Sequence, residues 1–266
     1  MTEINAKDYW DTLHRRSYGL TSVGYIGVGK PFNAWMYRVR QRVFRETMQS
    51  FIPASDDLEI LDIGSGTGFY LDRWRELGFQ NISGSDVSEM AVERLRERHP
   101  SFDITQLDIG EESAGLIQRE FDIVSIMDVL FHIMSDHKYE QAFANLAKLV
   151  KPGGLLVFSE NLVHQASSGD PHQVNRSIVD IESLLRKVGF EPLARRPMFV
   201  LMNYPVDSTS LLHRLCWRTL VLAMAAWNPL GAVVGAILYP LEIVLVSRLK
   251  EGPSTELMVC RRLSNL

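Results

Sequence analysis

Short apolar segments alternate with amphipathic helical patterns along most of this 266-residue chain. Apolar and β-branched runs bounded by glycine, proline or aspartate are typical of buried strands. The predicted strands occupy residues 58–63, 81–86, 102–108, 121–129, 155–160, 191–202 and 256–262. Because parallel neighbours need a crossover of helix length, the pattern predicts an α/β fold with a seven-stranded, mostly parallel sheet and helices on both faces.

The alternation also divides the chain into regions. Residues 1–55 are predicted to form a helical extension or lid, and residues 56–202 the core of the fold. An apolar helical insertion, 203–255, separates the sixth and seventh strands, and residues 256–266 return to the sheet.

Composition limits the classes of function. The formal net charge is −4, which does not favour a nucleic-acid partner. The two cysteines, Cys216 and Cys260, have neither metal-ligand spacing nor a disulfide framework. The polar N-terminus MTEINAKDYWDTLHRR lacks the apolar stretch of a signal peptide, so we expect a cytoplasmic protein.

The stretch LDIGSGTGFY carries the main chemical signal. An acid, Asp62, stands at the end of the first predicted strand and is followed by Gly64, Gly66 and Gly68. Glycines allow a sharp turn and close approach of a ligand to the backbone. The dinucleotide motif G-x-G-x-x-G would need glycine at Phe69, and the lysine and hydroxyl residue of a P-loop are missing.

With the motifs that follow it, this stretch resembles the class I S-adenosylmethionine-dependent methyltransferases. GSDVSEM, QLDIG, FDIVSIMDVLFHI and LVKPGGLLVFSE match, in order, the family's later strand-end motifs. The resemblance implies a Rossmann-like fold and S-adenosyl-L-methionine as cofactor, with Asp86 on the ribose hydroxyls and Asp108 near the adenine amino group. The predicted cofactor-binding residues are Asp62, Gly64, Gly66, Gly68, Asp86, Val87, Asp108, Ile109 and Asp128.

The chemistry of that cofactor agrees with the motif. It has no phosphate to neutralise, so its site uses acids and backbone groups rather than clustered Lys and Arg. The alternative for any single aspartate is that it caps a turn. Three aspartates at successive strand ends, Asp62, Asp86 and Asp108, favour a binding role.

Methyl transfer to a hydroxyl also needs a general base. The predicted catalytic residues are His132, Glu160 and His172, all after the fourth or fifth strand. For His132 a packed, partly buried imidazole is an equal alternative. The predicted substrate-binding residues are Tyr18, Tyr25, His164 and Arg176, with packing or a solvated loop as the alternative for each. The His and acid spacing predicts no metal site.

The insertion contains an uncharged run, TLVLAMAAWNPLGAVVGAILYPL, at 219–241. A single membrane span is excluded if strands on both sides of it join one sheet. A hairpin bent at Asn228-Pro229 has arms expected to be too short to span, so it would only dip into a bilayer. Peripheral membrane contact through 211–248, a wall or lid of the acceptor pocket, and a homodimer interface or part of the protein core all remain open.

The sequence therefore predicts a methyltransferase acting on a small hydrophobic or lipid-linked acceptor, with O-methylation favoured. Its partners would be that acceptor and, through 211–248, a membrane surface or a second copy, with no nucleic acid. Two alternatives are an enzyme that uses the same cofactor cleft for a cyclisation or rearrangement and a catalytically silent, membrane-associated binding module.

Overall fold

A seven-stranded sheet organises the protein in the computed structural model, which describes residues 6–16, 18–19, 24–52, 57–112, 118–168 and 173–264. Its strands are β1 (Ile60–Ile63), β2 (Ile82–Asp86), β3 (Asp103–Gln106), β4 (Phe121–Ile126), β5 (Val150–Glu160), β6 (Phe190–Pro197) and β7 (Glu256–Arg262). Their order across the sheet is β3-β2-β1-β4-β5-β7-β6. β7 runs antiparallel to both neighbours and the remaining pairs are parallel. The predicted fold class is thereby confirmed.

Helices cover both faces of the sheet. The eight α-helices of the described residues are α1 (Ala6–Arg16), α2 (Gly29–Phe51), α3 (Phe69–Glu76), α4 (Glu89–Arg98), α5 (Asp136–Leu149), α6 (Ile178–Lys187), α7 (Leu211–Ala226) and α8 (Leu230–Arg248). Helices α2, α3 and α4 bury Phe44, Trp74 and Leu95 in one apolar core. Helices α5 and α6 bury Phe143 and Leu185 in a second core on the opposite face. Alternate residues of β5 and β7 supply the two cores, as a sheet covered on both sides requires.

Several predicted boundaries were wrong by a few residues. The fourth strand ends at Ile126 rather than at 129, and the sixth ends at Pro197 rather than at 202. The fifth starts at Val150, which pairs with Phe121, although Gly153 has a φ of 81° and the pairing with β4 resumes only at Leu155, where this strand was predicted to begin.

The predicted insertion lies between the neighbouring strands β6 and β7 and consists of α7 and α8. Helix α8 packs along α2, with the Trp35 and Tyr239 rings 5.3 Å apart. A Cβ at Gly235 would lie 2.2 Å from Trp35 Cδ1, so only glycine permits this close approach. The buried Glu242 carboxylate ties α8 to the segment after β6, because it accepts backbone N–H groups from Val200 and Leu201 at 2.8 Å.

One expectation about the insertion was wrong. Its second arm was expected to be too short to cross a bilayer, yet α8 continues through Pro240 for 19 residues. By length and composition alone, it is the one helix in the described part of the chain that is long and apolar enough to span.

Candidate functional site

A cavity of about 1360 Å³ opens beside the carboxyl ends of β1, β2 and β4. This edge is where ligands bind in open parallel sheets. Three further elements wall the cavity: α1 contributes Trp10, α2 contributes Tyr37 and Arg40, and α7 contributes Trp217. The predicted residues that line it are Tyr25, Gly64, Gly66, Asp86, Val87, Asp108, Ile109, Asp128 and His132.

The glycine turn forms the floor of the cavity at the end of β1. Gly64 has a φ of 71°, and a Cβ there would lie 2.2 Å from Val129 Cγ2, so a side chain is excluded by conformation and by space. The Gly66 N–H donates to Asp86 Oδ2 at 2.8 Å, and the Tyr18 hydroxyl donates to the Gly66 carbonyl at 2.9 Å. The turn, the end of β2 and the N-terminal segment are therefore connected by hydrogen bonds.

The two aspartates after β2 and β3 are held in place by backbone amides. Asp86 Oδ1 accepts from Ser88 N at 2.9 Å, and Asp108 Oδ1 accepts from Gly110 N at 3.0 Å. Both aspartates line the cavity. A carboxylate oxygen has lone pairs beyond the one that an amide occupies, so each group can still accept a ligand hydroxyl or amino hydrogen.

Asp62 lies beneath the glycine turn and is almost completely buried. Ser125 Oγ donates to its Oδ1 at 2.6 Å, and Trp74 Nε1 donates to Ser125 Oγ at 3.0 Å. Burial raises the pKa of Asp62 to about 7, despite hydrogen bonds from Ser125 and Ser65 that lower it. Asp62 Oδ2 has no hydrogen-bond partner among the described residues. This carboxyl group supports the turn from below rather than lining the cavity.

An ion pair that the sequence did not indicate forms one wall. Arg40 of α2 contacts the Asp128 carboxylate, and both side chains line the cavity. Asp128 adopts a left-handed φ of 59°, and its N–H donates to Ser159 Oγ at 2.7 Å. Ser159 Oγ in turn donates to Asp128 Oδ1 at 2.9 Å. Asp128 is thus fixed by β5 on one side and α2 on the other.

Helix α1 covers part of the cavity. Asp11 hydrogen-bonds to the Ser88 hydroxyl, and Lys7 forms an ion pair with Glu89 at 3.7 Å, so α1 is fixed to the start of α4. This position brings the Trp10 ring edge-on to His132, with 5.0 Å between ring centroids. The predicted lid and the predicted catalytic histidine therefore meet at the cavity.

The end of the cavity near α7 is largely apolar. Tyr25 packs edge-on against Trp217, with ring centroids 5.8 Å apart. Two cations of α7 also line this end, Arg214 and Arg218. Arg214 Nη2 donates to the Val206 carbonyl at 3.4 Å, while its Nε has no hydrogen-bond partner among the described residues.

Five other predicted residues among those described lie away from the cavity lining. Gly68 caps the start of α3, and Tyr18 contacts the glycine turn through the Gly66 carbonyl. Glu160 is buried against the Tyr139 hydroxyl, which donates to it at 3.3 Å, and burial raises its pKa to about 8. His164 is exposed and pairs with Asp207 at 2.6 Å. Arg176 lies over the Tyr139 ring and pairs with Asp136 instead of facing the cavity. His172 lies outside the described residues.

The residues that fit S-adenosylmethionine are therefore brought together. A glycine-rich turn, two amide-supported aspartates and the flanking Val87 and Ile109 face one cavity. No group of three or more His, Cys, Asp or Glu residues in the described ranges is arranged to hold a metal ion.

Comparison with known proteins supports this assignment. Residues 60–154 match the family model described as a methyltransferase domain. The chain is 30% identical over 141 residues, 48% of its length, to the mRNA cap guanine-N(7) methyltransferase of Schizosaccharomyces pombe. It is 34% identical over 105 residues, 38% of its length, to a ubiquinone biosynthesis O-methyltransferase of Thiobacillus denitrificans. These matches span 37% and 43% of the two relatives, less than half of each.

Residues 60–154 thus carry a methyltransferase domain, in agreement with the predicted resemblance to the class I S-adenosylmethionine-dependent methyltransferases. The fold of the chain extends the match beyond the family model. It superimposes on magnesium protoporphyrin IX methyltransferase from Synechocystis PCC 6803 with bound SAM at a TM-score of 0.58 and 15% identity, covering 98% of this chain and 99% of the other. The predicted family and the cofactor S-adenosyl-L-methionine are confirmed.

The cavity-lining residues that the sequence did not indicate come mainly from helices packed across the cavity. Tyr37, Arg40 and Trp217 line it although none stands in a motif. The sequence does contain one indication that Arg40 is special. It is a charged residue on the face of α2 that also carries Met36 and Val43. A charged residue at an apolar position indicates a buried partner.

Proposed function

We propose that this protein methylates a small hydrophobic acceptor, with S-adenosylmethionine as the methyl donor and a hydroxyl oxygen as the favoured acceptor atom. The observation that carries the proposal is the shared cavity. Its strand-end side holds Asp86, Asp108 and the glycine turn, and its other end is walled by the apolar side chains of α7. A donor and an apolar acceptor can therefore share one enclosed space, which aligns them for transfer.

The strand-end side would hold the cofactor. Asp86 would accept from the ribose hydroxyls, Asp108 would face the adenine amino group, and Val87 and Ile109 would pack on its rings. When bound, the cofactor supplies a methyl group activated by its sulfonium. The Gly64–Gly66 backbone lines the cavity and would lie against the amino-acid end of the cofactor.

His132 is the proposed general base. It follows β4, lines the cavity and packs against Trp10 of the covering helix. In the proposed step the imidazole takes the acceptor's hydroxyl proton as the oxygen forms its bond to the methyl carbon, and the carbon–sulfur bond breaks. Asp128 is a weaker candidate, because its carboxylate already contacts Arg40 and accepts a hydrogen bond from Ser159.

The proposed acceptor is amphipathic. The Tyr25–Trp217 pair offers an apolar contact surface, and Arg214 with Arg218 offers two cations on the same face of α7. Guanidinium groups bind carboxylate and phosphate well. An acceptor with an apolar body and an anionic group would match both features, and a lipid-linked intermediate is one such molecule.

Calorimetry with S-adenosylmethionine tests the cofactor site. We expect the natural chain to bind and Asp86→Ala to lose binding. Asp103→Ala is the matched control, because Asp103 is exposed on β3 and lies outside the cavity lining. Absence of binding by the natural chain, or equal binding by Asp86→Ala, would contradict the proposal.

Transfer of a labelled methyl group tests the reaction. The acceptors would be phenols with and without an alkyl chain and a carboxylate. After incubation, the labelled product would be extracted into organic solvent and counted. We expect His132→Gln to lower kcat by about 10²-fold or more, the usual contribution of a general base, while cofactor binding persists. Cofactor consumption without labelled product would instead indicate other chemistry, and binding without turnover of any acceptor would indicate a silent binding module.

A further inference from the structure

The α7–α8 hairpin exposes large apolar side chains that no described part of the protein covers. On α8, Val233, Ile237, Leu241 and Val244 follow helical spacing and are 41% to 68% exposed. Leu222 and Trp227 extend this apolar surface to the tip of the hairpin. An apolar surface of this extent on a folded chain marks an interaction site.

Only one face of α8 is available for such an interaction. Its opposite face packs on α2, where Gly231 and Gly235 allow the two helices to approach closely. The buried Glu242 carboxylate accepts three backbone N–H groups from residues 200–202, which fixes α8 to the sheet. A helix held in this way cannot leave the protein to cross a bilayer, but its free face can rest on one.

The charges beside this face are positive. Helix α2 exposes four cations, called the cationic row, which are Lys30, Arg38, Arg42 and Arg45. Arg38 stacks 4.1 Å from the centroid of the Trp35 ring, which itself contacts Tyr239 of α8. The cationic row and the apolar face are therefore adjacent.

Acids near this surface are either buried or neutralised. Glu46 of α2 is paired with Arg42 at 2.7 Å. Glu242 is the single acid in α7 and α8, and it is buried. Glu251, just after α8, lies 3.6 Å from Arg195 and 3.8 Å from His164. Arg248 and Lys250 add two exposed cations at the end of α8.

We propose that the exposed face of α8, the hairpin tip and the cationic row of α2 form a surface that docks the protein on an anionic membrane. The apolar side chains would enter the interfacial region, while the cations would meet lipid headgroups. A second copy of the chain fits this surface less well, because a symmetric dimer would bring together two cationic rows in which, among the described residues, only Arg42 has an acidic partner. The inference does not depend on the proposed methyl transfer.

Vesicle flotation of the full chain tests the proposal. We expect flotation with vesicles of phosphatidylcholine and phosphatidylglycerol, weaker flotation with phosphatidylcholine alone, and a loss at high salt. Ile237→Glu combined with Leu241→Glu should abolish flotation, and Arg38→Gln combined with Arg45→Gln should weaken binding to the anionic vesicles by about tenfold or more.

The matched controls lie on α6. Val179 is 70% exposed and the Arg186 side chain is 64% exposed, so Val179→Glu and Arg186→Gln repeat the same chemical changes elsewhere. We expect both controls to float like the natural chain. All variants should keep their S-adenosylmethionine affinity, which shows by a separate measurement that they are folded.

Three results would overturn the proposal. One is no flotation of the natural chain with either vesicle. Another is equal flotation of the α8 double variant and the Val179→Glu control. The third is that light scattering shows the natural chain as a dimer and the α8 double variant as a monomer, while neither protein binds vesicles. The surface would then be an interface between two copies of the chain.

Discussion

Arg40 and Asp128 form an ion pair in the wall of the cavity, although 88 residues separate them in the chain. Arg40 comes from the extension before the sheet, and Asp128 stands where β4 ends. Their contact ties α2 to the sheet at the edge where the cofactor-binding residues gather. The extension is thus part of the site and more than a cover over it.

Breaking this pair should destabilise the protein. We expect Arg40→Met to lower the free energy of unfolding by about 3 kcal/mol, because it leaves the Asp128 carboxylate without its partner in a mostly desolvated place. The exposed Arg42 on the same helix is the control, and Arg42→Met should cost less than about 1 kcal/mol. Urea unfolding followed by circular dichroism measures both. Equal losses would show that the pair contributes nothing beyond helix packing.

The glycine turn offers a second test. Gly64 and Gly78 both have positive φ, but only at Gly64 does an added Cβ meet another group, Val129. Gly78→Ala should therefore cost about 1 kcal/mol of backbone strain and leave cofactor binding unchanged. Gly64→Ala should lower the free energy of unfolding by more than Gly78→Ala does. It should also weaken S-adenosylmethionine binding by about tenfold or more, which corresponds to the loss of about one hydrogen bond. Calorimetry would refute this if the two variants bound equally well.

A third prediction concerns pH. Burial raises the pKa of Glu160 to about 8, from the 4.5 of the free side chain. Between these two values the folded state holds a proton that the unfolded chain has lost, so stability is greatest at low pH and falls as pH rises toward 8. Glu160→Gln should flatten this slope. Asp62, whose pKa burial raises to about 7, acts in the same direction, so part of the slope should remain.

Urea unfolding at intervals from pH 5 to about pH 9 measures this dependence for both proteins. The control is Glu182→Gln, because Glu182 pairs with Arg186 on the exposed side of α6. That variant should reproduce the slope of the natural chain. A Glu160→Gln slope as steep as that of the control would mean that Glu160 is ionised in the folded protein.

The anchoring of the hairpin gives the fourth prediction. Glu242 Oε1 accepts from Val200 N at 2.8 Å, and Oε2 accepts from Leu201 N at 2.8 Å. In Glu242→Gln an amide NH₂ replaces one of the two carboxylate oxygens, so at least one backbone N–H loses its acceptor. The free energy of unfolding should therefore fall by about 2 kcal/mol. Glu251→Gln, at an exposed ion pair, should change it by less than about 1 kcal/mol. Thermal unfolding of the two variants at one pH compares them, and similar midpoints would refute the anchoring role.

The sequence by itself determined the order of strands and helices, the cofactor turn and the position of the apolar insertion. These features rest on local rules, because burial on a sheet or helix face imposes a short repeat and a tight turn demands glycine. Asp86, Asp108 and His132 also reached the cavity as predicted, since the carboxyl ends of parallel strands meet at one edge.

Only the tertiary structure decided which polar groups share that cavity. Glu160 directly ends β5, yet it is buried beside Tyr139, while Arg40 from a distant helix faces the site. Likewise, the apolar run could have been core or surface, and its packing on α2 left one face exposed. Such outcomes depend on contacts between residues far apart in the chain, which no local pattern records.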